Sequence, residues 1–302
     1  MRIFITTPSC NQLDFLKRCV ASVEDQVTES EEQGAGSIGV HHHIQDAQST
    51  DGTVEFLAEH LANNSKLSVV SYIFSYESAP DEGMYDAVRT GWRMAPDNMD
   101  VMAYLNCDEQ YLPGALAEVA RWFKECPEKD VLFGDVLIVD GEGQLVCGRK
   151  MVAPSKFHIM TDQLPLFTAA MFIRGSALEK HALYPDPEWK NIGDVELVLR
   201  MMMNGVRIGL LHDYVSAFSD TGQNMALDKV AAREYETIRK QAPRWARMLR
   251  WLWVLRHRVK KWMAGVYRLP PVAYSIYVND LTSRTEFAVD NPDSRWFSRL
   301  GE

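Results

Sequence analysis

The chain has 302 residues, 46% of them hydrophobic and 24% charged, which are ordinary globular values that leave room for one large α/β domain with an appendage. No apolar run approaches the ~18 residues of a membrane span, and Met1-Arg2-Ile3-Phe4-Ile5-Thr6 reads as a first strand rather than a signal peptide. Five cysteines at no metal-ligand spacing argue against a disulfide framework and for reduced thiols, so a cytoplasmic location is expected. The net charge of −9 is uneven: Lys240 to Arg268 holds nine Lys or Arg and no acid, which leaves −18 on the remainder. Such a basic appendage is suited to an anionic partner.

Arg2 to Thr6 is a predicted strand, followed by a polar turn and a helix with Phe15, Leu16, Cys19, Val20 and Val23 on one face. Residues 28 to 39, acidic and then Gly-rich, read as a surface loop. Val40 to Ile44 resumes strand character and runs into Gln45 to Thr53, after which Val54, Phe56, Leu57 and Leu61 suggest a helix. Leu67 to Phe74 is a third strand, followed by a turn around Asp81 and a helix to about Met94. Val101 to Leu105 is the fourth, and it stops at Asn106 with Asp108 and Glu109 just beyond. This alternation predicts a mostly parallel sheet with helices on both faces. After about residue 130 the rhythm changes: Val131-Leu132-Phe133, Leu137-Ile138-Val139 and Gln144-Leu145-Val146, with Asp140-Gly141-Glu142-Gly143 between, read as antiparallel strands around a tight turn. A helix follows from Asp194 to Asn204, with Gly205 as its stop.

In open α/β sheets, ligands bind at the carboxyl ends of the strands. Acid-rich turns fall there around Asp46 and Asp51, around Asp81 and Asp86, and at Asp108, with a further acid at Asp194. Each alone reads as a turn or helix cap. Together they suggest one convergent site, where a carboxylate such as Asp108 can hold a divalent metal against a phosphate-bearing substrate. His41-His42-His43 alternates faces of a strand, so at most two rings converge, and a structural role is the better reading.

Thr7-Pro8-Ser9-Cys10-Asn11-Gln12, Asp46-Ala47-Gln48-Ser49-Thr50-Asp51-Gly52-Thr53, Gly83-Met84-Tyr85-Asp86-Ala87, Leu105-Asn106-Cys107-Asp108-Glu109 with Pro113-Gly114-Ala115-Leu116, and Gly134-Asp135 resemble, in order and spacing, family 2 glycosyltransferases of the GT-A fold. The resemblance spans roughly residues 1 to 225. It implies a Rossmann-like domain whose residues 1–130 bind a nucleotide sugar and whose residues 131–225 receive the acceptor, with 226–302 as a basic helical extension. It also implies metal-dependent, inverting transfer of a sugar from a UDP, GDP or dTDP donor to a hydroxyl of a glycan or lipid-linked glycan, as in polysaccharide or lipopolysaccharide synthesis. On this reading Thr7, Pro8 and Asn11 cradle the nucleotide, Asp46 contacts the base, Asp81 lies near the ribose or donor sugar, and Asp51, Asp86 and Asn106 complete the donor site. Asp108 is then the ligand of Mn²⁺ or Mg²⁺, and Asp194 the catalytic base, with Glu196 as its reserve.

Four departures stand out: Gln48 for Gly or an acid, Glu82 for Arg, Glu109 for Asp, and Phe167-Thr168 for His-Gln. They keep open a noncatalytic nucleotide- or glycan-binding subunit. A nucleotidyltransferase is the nearest rival enzyme, but the chain shows no Gly-rich N-terminal loop with a partnering Lys. Gly222-Gln223-Asn224 reads either as a loop closing over the donor or as a polar turn.

From Trp245 to Val266, apolar residues recur at helical spacing as Trp245, Met248, Leu249, Leu252, Leu255, Val259, Trp262, Met263 and Val266, flanked by Arg and Lys. A helix lying on an anionic membrane at the inner face of the plasma membrane fits this pattern. So does a helix packed on the catalytic domain or on a second copy in a homodimer. Nucleic acid is not the expected partner. The strand-like Ala273 to Val278 reads as a packed extension.

Overall fold

The computed structural model describes residues 1–32, 38–64, 71–220 and 228–296. The chain opens with β1 (Arg2–Ser9), α1 (Leu13–Glu32), β2 (Gly39–Asp46), α2 (Thr53–Asn64), β3 (Tyr72–Ser78), α3 (Met84–Arg93) and β4 (Val101–Tyr104). β1 lies parallel between β2 and β4, and β3 lies parallel outside β2. Every residue of β1 after Arg2 and all of β4 are buried, as expected of parallel strands covered on both faces. The third strand starts at Tyr72, later than its apolar run suggested, and the first part of that run lies outside the described residues.

The second half adds β5 (Glu109–Tyr111), α4 (Ala115–Glu125), β6 (Val131–Val139), β7 (Leu145–Arg149), α5 (Lys156–Thr161), β8 (Met171–Arg174), α6 (Gly175–Lys180), α7 (Gly193–Met203) and β9 (Ile208–Ser219). The sheet runs β3-β2-β1-β4-β8-β6-β9-β5, with β7 on the later part of β6. β8 runs antiparallel to both β4 and β6, β9 runs parallel to β6, and β5 runs antiparallel to β9. The two short runs expected at Val131 and Leu137 are one continuous strand, bulged against β9 next to Gly134. A Cβ on Gly134 would stand 2.5 Å from Val215, so only glycine lets the strands meet there.

The tail comprises α8 (Lys229–Gln241), α9 (Arg244–Met248), α10 (Arg250–Met263), β10 (Val272–Ile276) and β11 (Thr285–Val289). The basic helix breaks at Leu249 instead of running unbroken to Val266. The extension is helical only to Met263. It ends in an antiparallel hairpin whose Tyr274, Ile276 and Val278 pack on Leu112, Leu137, Val139 and Ala217. Arg284 fastens that hairpin to α1 through two bonds to Asp25, at 2.7 and 2.8 Å. Among the described residues, no helix is long and apolar enough to cross a membrane.

Candidate active site

A cleft of about 550 Å³ opens where β1 and β4 end. Pro8, Ser9 and Cys10 form one side, and Asn106, Cys107 and Asp108 its floor. The strand-to-floor turn is fixed from within. Asn106 donates its backbone N–H to Glu109 Oε2 at 2.8 Å and its amide to Oε1 at 3.1 Å, while the Cys107 thiol donates to the Pro8 carbonyl at 3.2 Å. Both carboxylates line the cleft, but the oxygens of the buried Glu109 are engaged by Asn106, whereas Asp108 has no such bond among the described residues. Burial pushes both carboxyls above the ordinary range, and at Glu109 the charge of Asp108 adds to the effect.

Among the described residues, no group of three or more His, Cys, Asp or Glu stands ready to hold a metal. Asp108 alone fits a hard divalent ion that takes one carboxylate from the protein and its remaining oxygens from a diphosphate and water.

Asp194 enters the cleft from the first turn of α7. Its Oδ1 accepts the Val195 N–H at 2.9 Å and the Tyr85 hydroxyl at 3.1 Å. The helix start favours the ionised form, yet burial outweighs these bonds and raises the pKa. A carboxyl with a raised pKa is a stronger proton acceptor than an ordinary carboxylate, which suits a general base. Glu196 is no reserve, because its two oxygens each hold Arg200 at 2.9 Å.

Residues 4–183 match the profile of Glycosyl transferase family 2. The chain belongs to that family. No curated protein sequence matches it. Among solved structures, S. aureus TarS 1-349 in complex with UDP-GlcNAc superposes with a TM-score of 0.58 at 17% identity, over 79% of this chain and 64% of that one. S. aureus TarS 1-349 without a named ligand gives 0.56 at 16%, over 88% and 74%. The longer S. aureus TarS gives 0.56 at 15%, over 95% of this chain and 60% of that one. This chain thus spans less than two thirds of the length of two of these neighbours, and at such identities the likeness is one of fold, the GT-A-like α/β architecture.

In this family member Pro8, Asp81, Asn106, Asp108 and Asp194 share the cleft, whereas Thr7, Asn11, Asp46, Asp51 and Asp86 are not among its lining residues. Thr7 is buried against His42 Nε2 at 2.9 Å. Asp46 is fully buried and accepts from Ser49 N, Ser49 Oγ and Ser78 Oγ at 3.0, 2.5 and 2.6 Å. Asn11 and Ser49 stitch the first two strand-end turns together, with Asn11 N donating to Ser49 Oγ and Thr50 N donating to Asn11 Oδ1, both at 2.8 Å. Asp51 accepts from Leu13 N and Thr53 N, at the starts of two helices. Asp86 accepts from Glu82 N at 3.1 Å. Asn11, Asp46, Asp51 and Asp86 thus hold the turns and helix starts beside the cleft, and Thr7 is bonded within the sheet.

The departures also gain physical accounts. Gln48 adopts φ 55°, a left-handed conformation that explains glycine at this position. Glu82 points outward and pairs with Lys190 at 3.5 Å, so its charge stays outside the cleft lining. The three histidines serve the sheet: His41 and His43 both meet Ser75 Oγ, at 2.8 and 2.9 Å, and His42 meets Thr7. Gly222-Gln223-Asn224 lies outside the described residues. Sequence reasoning missed the far wall. There Phe167, Phe218 and Trp296 cluster with ring centroids 5.9 to 6.4 Å apart, and Trp296 Nε1 donates to Asp220 Oδ2 at 2.8 Å.

Proposed function

We propose that this glycosyltransferase moves a sugar from a nucleotide diphosphate donor to a hydroxyl of a glycan or lipid-linked glycan by single displacement with inversion. The observation that carries the proposal is the sharing of one cleft by Asp194, held by Tyr85, and Asp108, with no side-chain cation bonded to either carboxylate among the described residues. The acceptor oxygen attacks the anomeric carbon while Asp194 takes its proton. The bond from that carbon to the diphosphate oxygen breaks, and the nucleotide diphosphate leaves with the electron pair. Asp108 would hold Mn²⁺ or Mg²⁺, which when bound neutralises charge developing on the diphosphate. Pro8, Ser9 and Asp81 line the side where the nucleotide and donor sugar would lie. Uridine is favoured as the base by the UDP-GlcNAc complex of the TarS neighbour.

Calorimetric titration of UDP-GlcNAc, UDP, GDP and dTDP, with and without Mn²⁺, tests the proposal. The expected result is uridine binding that Mn²⁺ tightens and that Asp108→Asn uncouples from the metal. Absence of any metal-dependent nucleotide binding would sink the metal-assisted reading.

A further inference from the structure

Helix α10 has two opposed faces. One packs on α5. Trp253 sits 5.1 Å from the Phe157 ring, His257 stacks on His158 at 4.4 Å, Lys260 donates to the Ala153 carbonyl at 3.2 Å, and Arg250 reaches Asp162, just past α5, at 2.7 Å. At about 100° per residue, Trp251, Leu252, Leu255, Val259, Trp262 and Met263 fall within an arc of about 120° centred opposite His257. Arg256 and Arg258 border that arc on either side. All six apolar side chains are exposed, from 36% to 75%. The packed face is therefore already used, and the outward stripe is a second apolar surface. Monomers seldom leave such a contiguous patch in water.

We propose that this stripe docks on an anionic lipid bilayer, with α10 lying in the membrane plane. Three observations favour lipid over a second copy of the chain. The stripe carries tryptophans at both ends, and indole rings favour the headgroup level, where an apolar body and a polar N–H are both accommodated. No acid lies between Lys240 and Arg268, so two copies meeting here would set cations against cations, whereas anionic headgroups complement them. The remainder of the chain carries −18 and is repelled by the same surface, which selects one orientation on it. α5, clamped beneath α10, leads directly to Leu164, Leu166 and Phe167 in the cleft wall. Docking thus holds that wall near the bilayer, where a lipid-linked acceptor would arrive. Only this last consequence rests on the proposed transfer reaction.

Co-sedimentation of the full chain with phosphatidylglycerol-containing vesicles and with pure phosphatidylcholine vesicles, without nucleotide sugar, reads docking independently of catalysis. Binding is expected to be at least about tenfold stronger to the anionic vesicles and to weaken with added salt. The double variants Trp251→Ser/Trp262→Ser and Arg256→Glu/Arg258→Glu should each lose about tenfold or more while melting like the parent by circular dichroism. Light scattering supplies the rival outcome. Failure to sediment with anionic vesicles overturns the proposal. So does binding that survives both double variants, or a dimer that dissociates in the tryptophan variant and shows no lipid binding.

Discussion

The Tyr85 hydroxyl donates to Asp194 across 109 residues of chain, and Gly193 makes room for that ring, since a Cβ there would stand 2.7 Å from Tyr85 Cδ2. The carboxylate proposed as the base is thus aimed by a residue of α3 and a glycine of its own helix. Asp194→Asn removes the proton acceptor and should lower kcat by about 10² to 10⁴. Tyr85→Phe leaves the carboxylate but frees its orientation, and a loss of roughly tenfold in kcat is expected with donor KM unchanged. Glu196→Gln should cost little in rate. A pH–rate profile discriminates these roles: the acidic limb, where the base is lost by protonation, should move to higher pH in Tyr85→Phe, whose lost hydrogen bond had lowered the Asp194 pKa, and disappear in Asp194→Asn. Near-normal turnover in Asp194→Asn would remove it as base.

Much of this arrangement was legible because burial leaves a mark on composition. The runs Arg2–Thr6 and Val101–Leu105 are apolar or β-branched enough to read as strands, Val40–Ile44 is framed by β-branched residues around three histidines, and all three lie in the parallel part of the sheet. The chain's order of acid turns led to Asp81, Asp108 and Asp194, which do line one cleft. Asp46 and Asp51 carry the same residue type at similar strand ends, but Ser49, Ser78, Leu13 and Thr53 take up their oxygens. Local sequence does not reveal which carboxylate finds a donor in space. Trp296 and Asp220 meet over 76 residues, and no periodicity encodes such a contact. Of the apolar stripe expected from Trp245 to Val266, Leu252, Leu255, Val259, Trp262 and Met263 lie exposed on α10, whereas the helix breaks at Leu249, Trp245 packs on Phe157 and Val266 is buried beyond α10. The stripe's direction depended on His257 and Trp253, which pack inward from the opposite side.

Asp46 gives a second prediction. Its three accepted bonds hold the β2–α2 turn, and the Ala47 N–H bonds the Ser9 carbonyl at 2.8 Å, tying that turn to the cleft side. Asp46→Ala strands Ser49 and Ser78 and should cost about 1–3 kcal/mol in urea unfolding. Because Ser9 and Ala47 both line the cleft, donor KM should rise about tenfold while kcat changes less. An equal loss in kcat with unchanged KM would contradict a positioning role on the donor side.

Arg284 supplies the third. Besides Asp25, its guanidinium donates to the carbonyls of Tyr111, Ser275 and Ser22, at 2.9, 3.2 and 3.4 Å, and lies 4.9 Å from the Tyr277 ring. Tyr277 in turn donates to Asp25 Oδ2 at 2.8 Å. Arg284→Ala leaves a carboxylate and three carbonyls with fewer donors and should destabilise the chain by about 3 kcal/mol. Lysine cannot reproduce the bidentate fork, so Arg284→Lys should recover only part of that loss. The measurement is the denaturant midpoint of the three proteins, and equal midpoints would show that the hairpin is held by apolar packing alone.

The histidines of β2 give a stability profile whose sign can be worked out. Burial holds His42 well below the ordinary imidazole range, His41 at about 4, and lowers His43 and His60 as well. The three on β2 and His60 on α2 are therefore biased toward the neutral form in the folded chain, whereas the unfolded chain begins to bind protons near pH 6.5. Their contribution is fully present above about pH 6.5 and is lost as pH falls below it toward the folded-state values, at up to ~1.4 kcal/mol per pH unit for each group. Asp135 works in the opposite sense. Burial raises it to about 7, so its protonation on the way down from neutrality relieves a cost of folding. A single pH curve mixes the two effects, and a variant separates them. His41→Asn retains a side chain able to meet Ser75, and it removes one lowered imidazole. Its urea midpoint, followed from pH 7.5 to pH 5 in steps of about half a unit, should fall less steeply than that of the parent, with the curves diverging below about pH 6.5. Parallel curves over that range would mean that His41 protonates as readily in the folded sheet as in the unfolded chain.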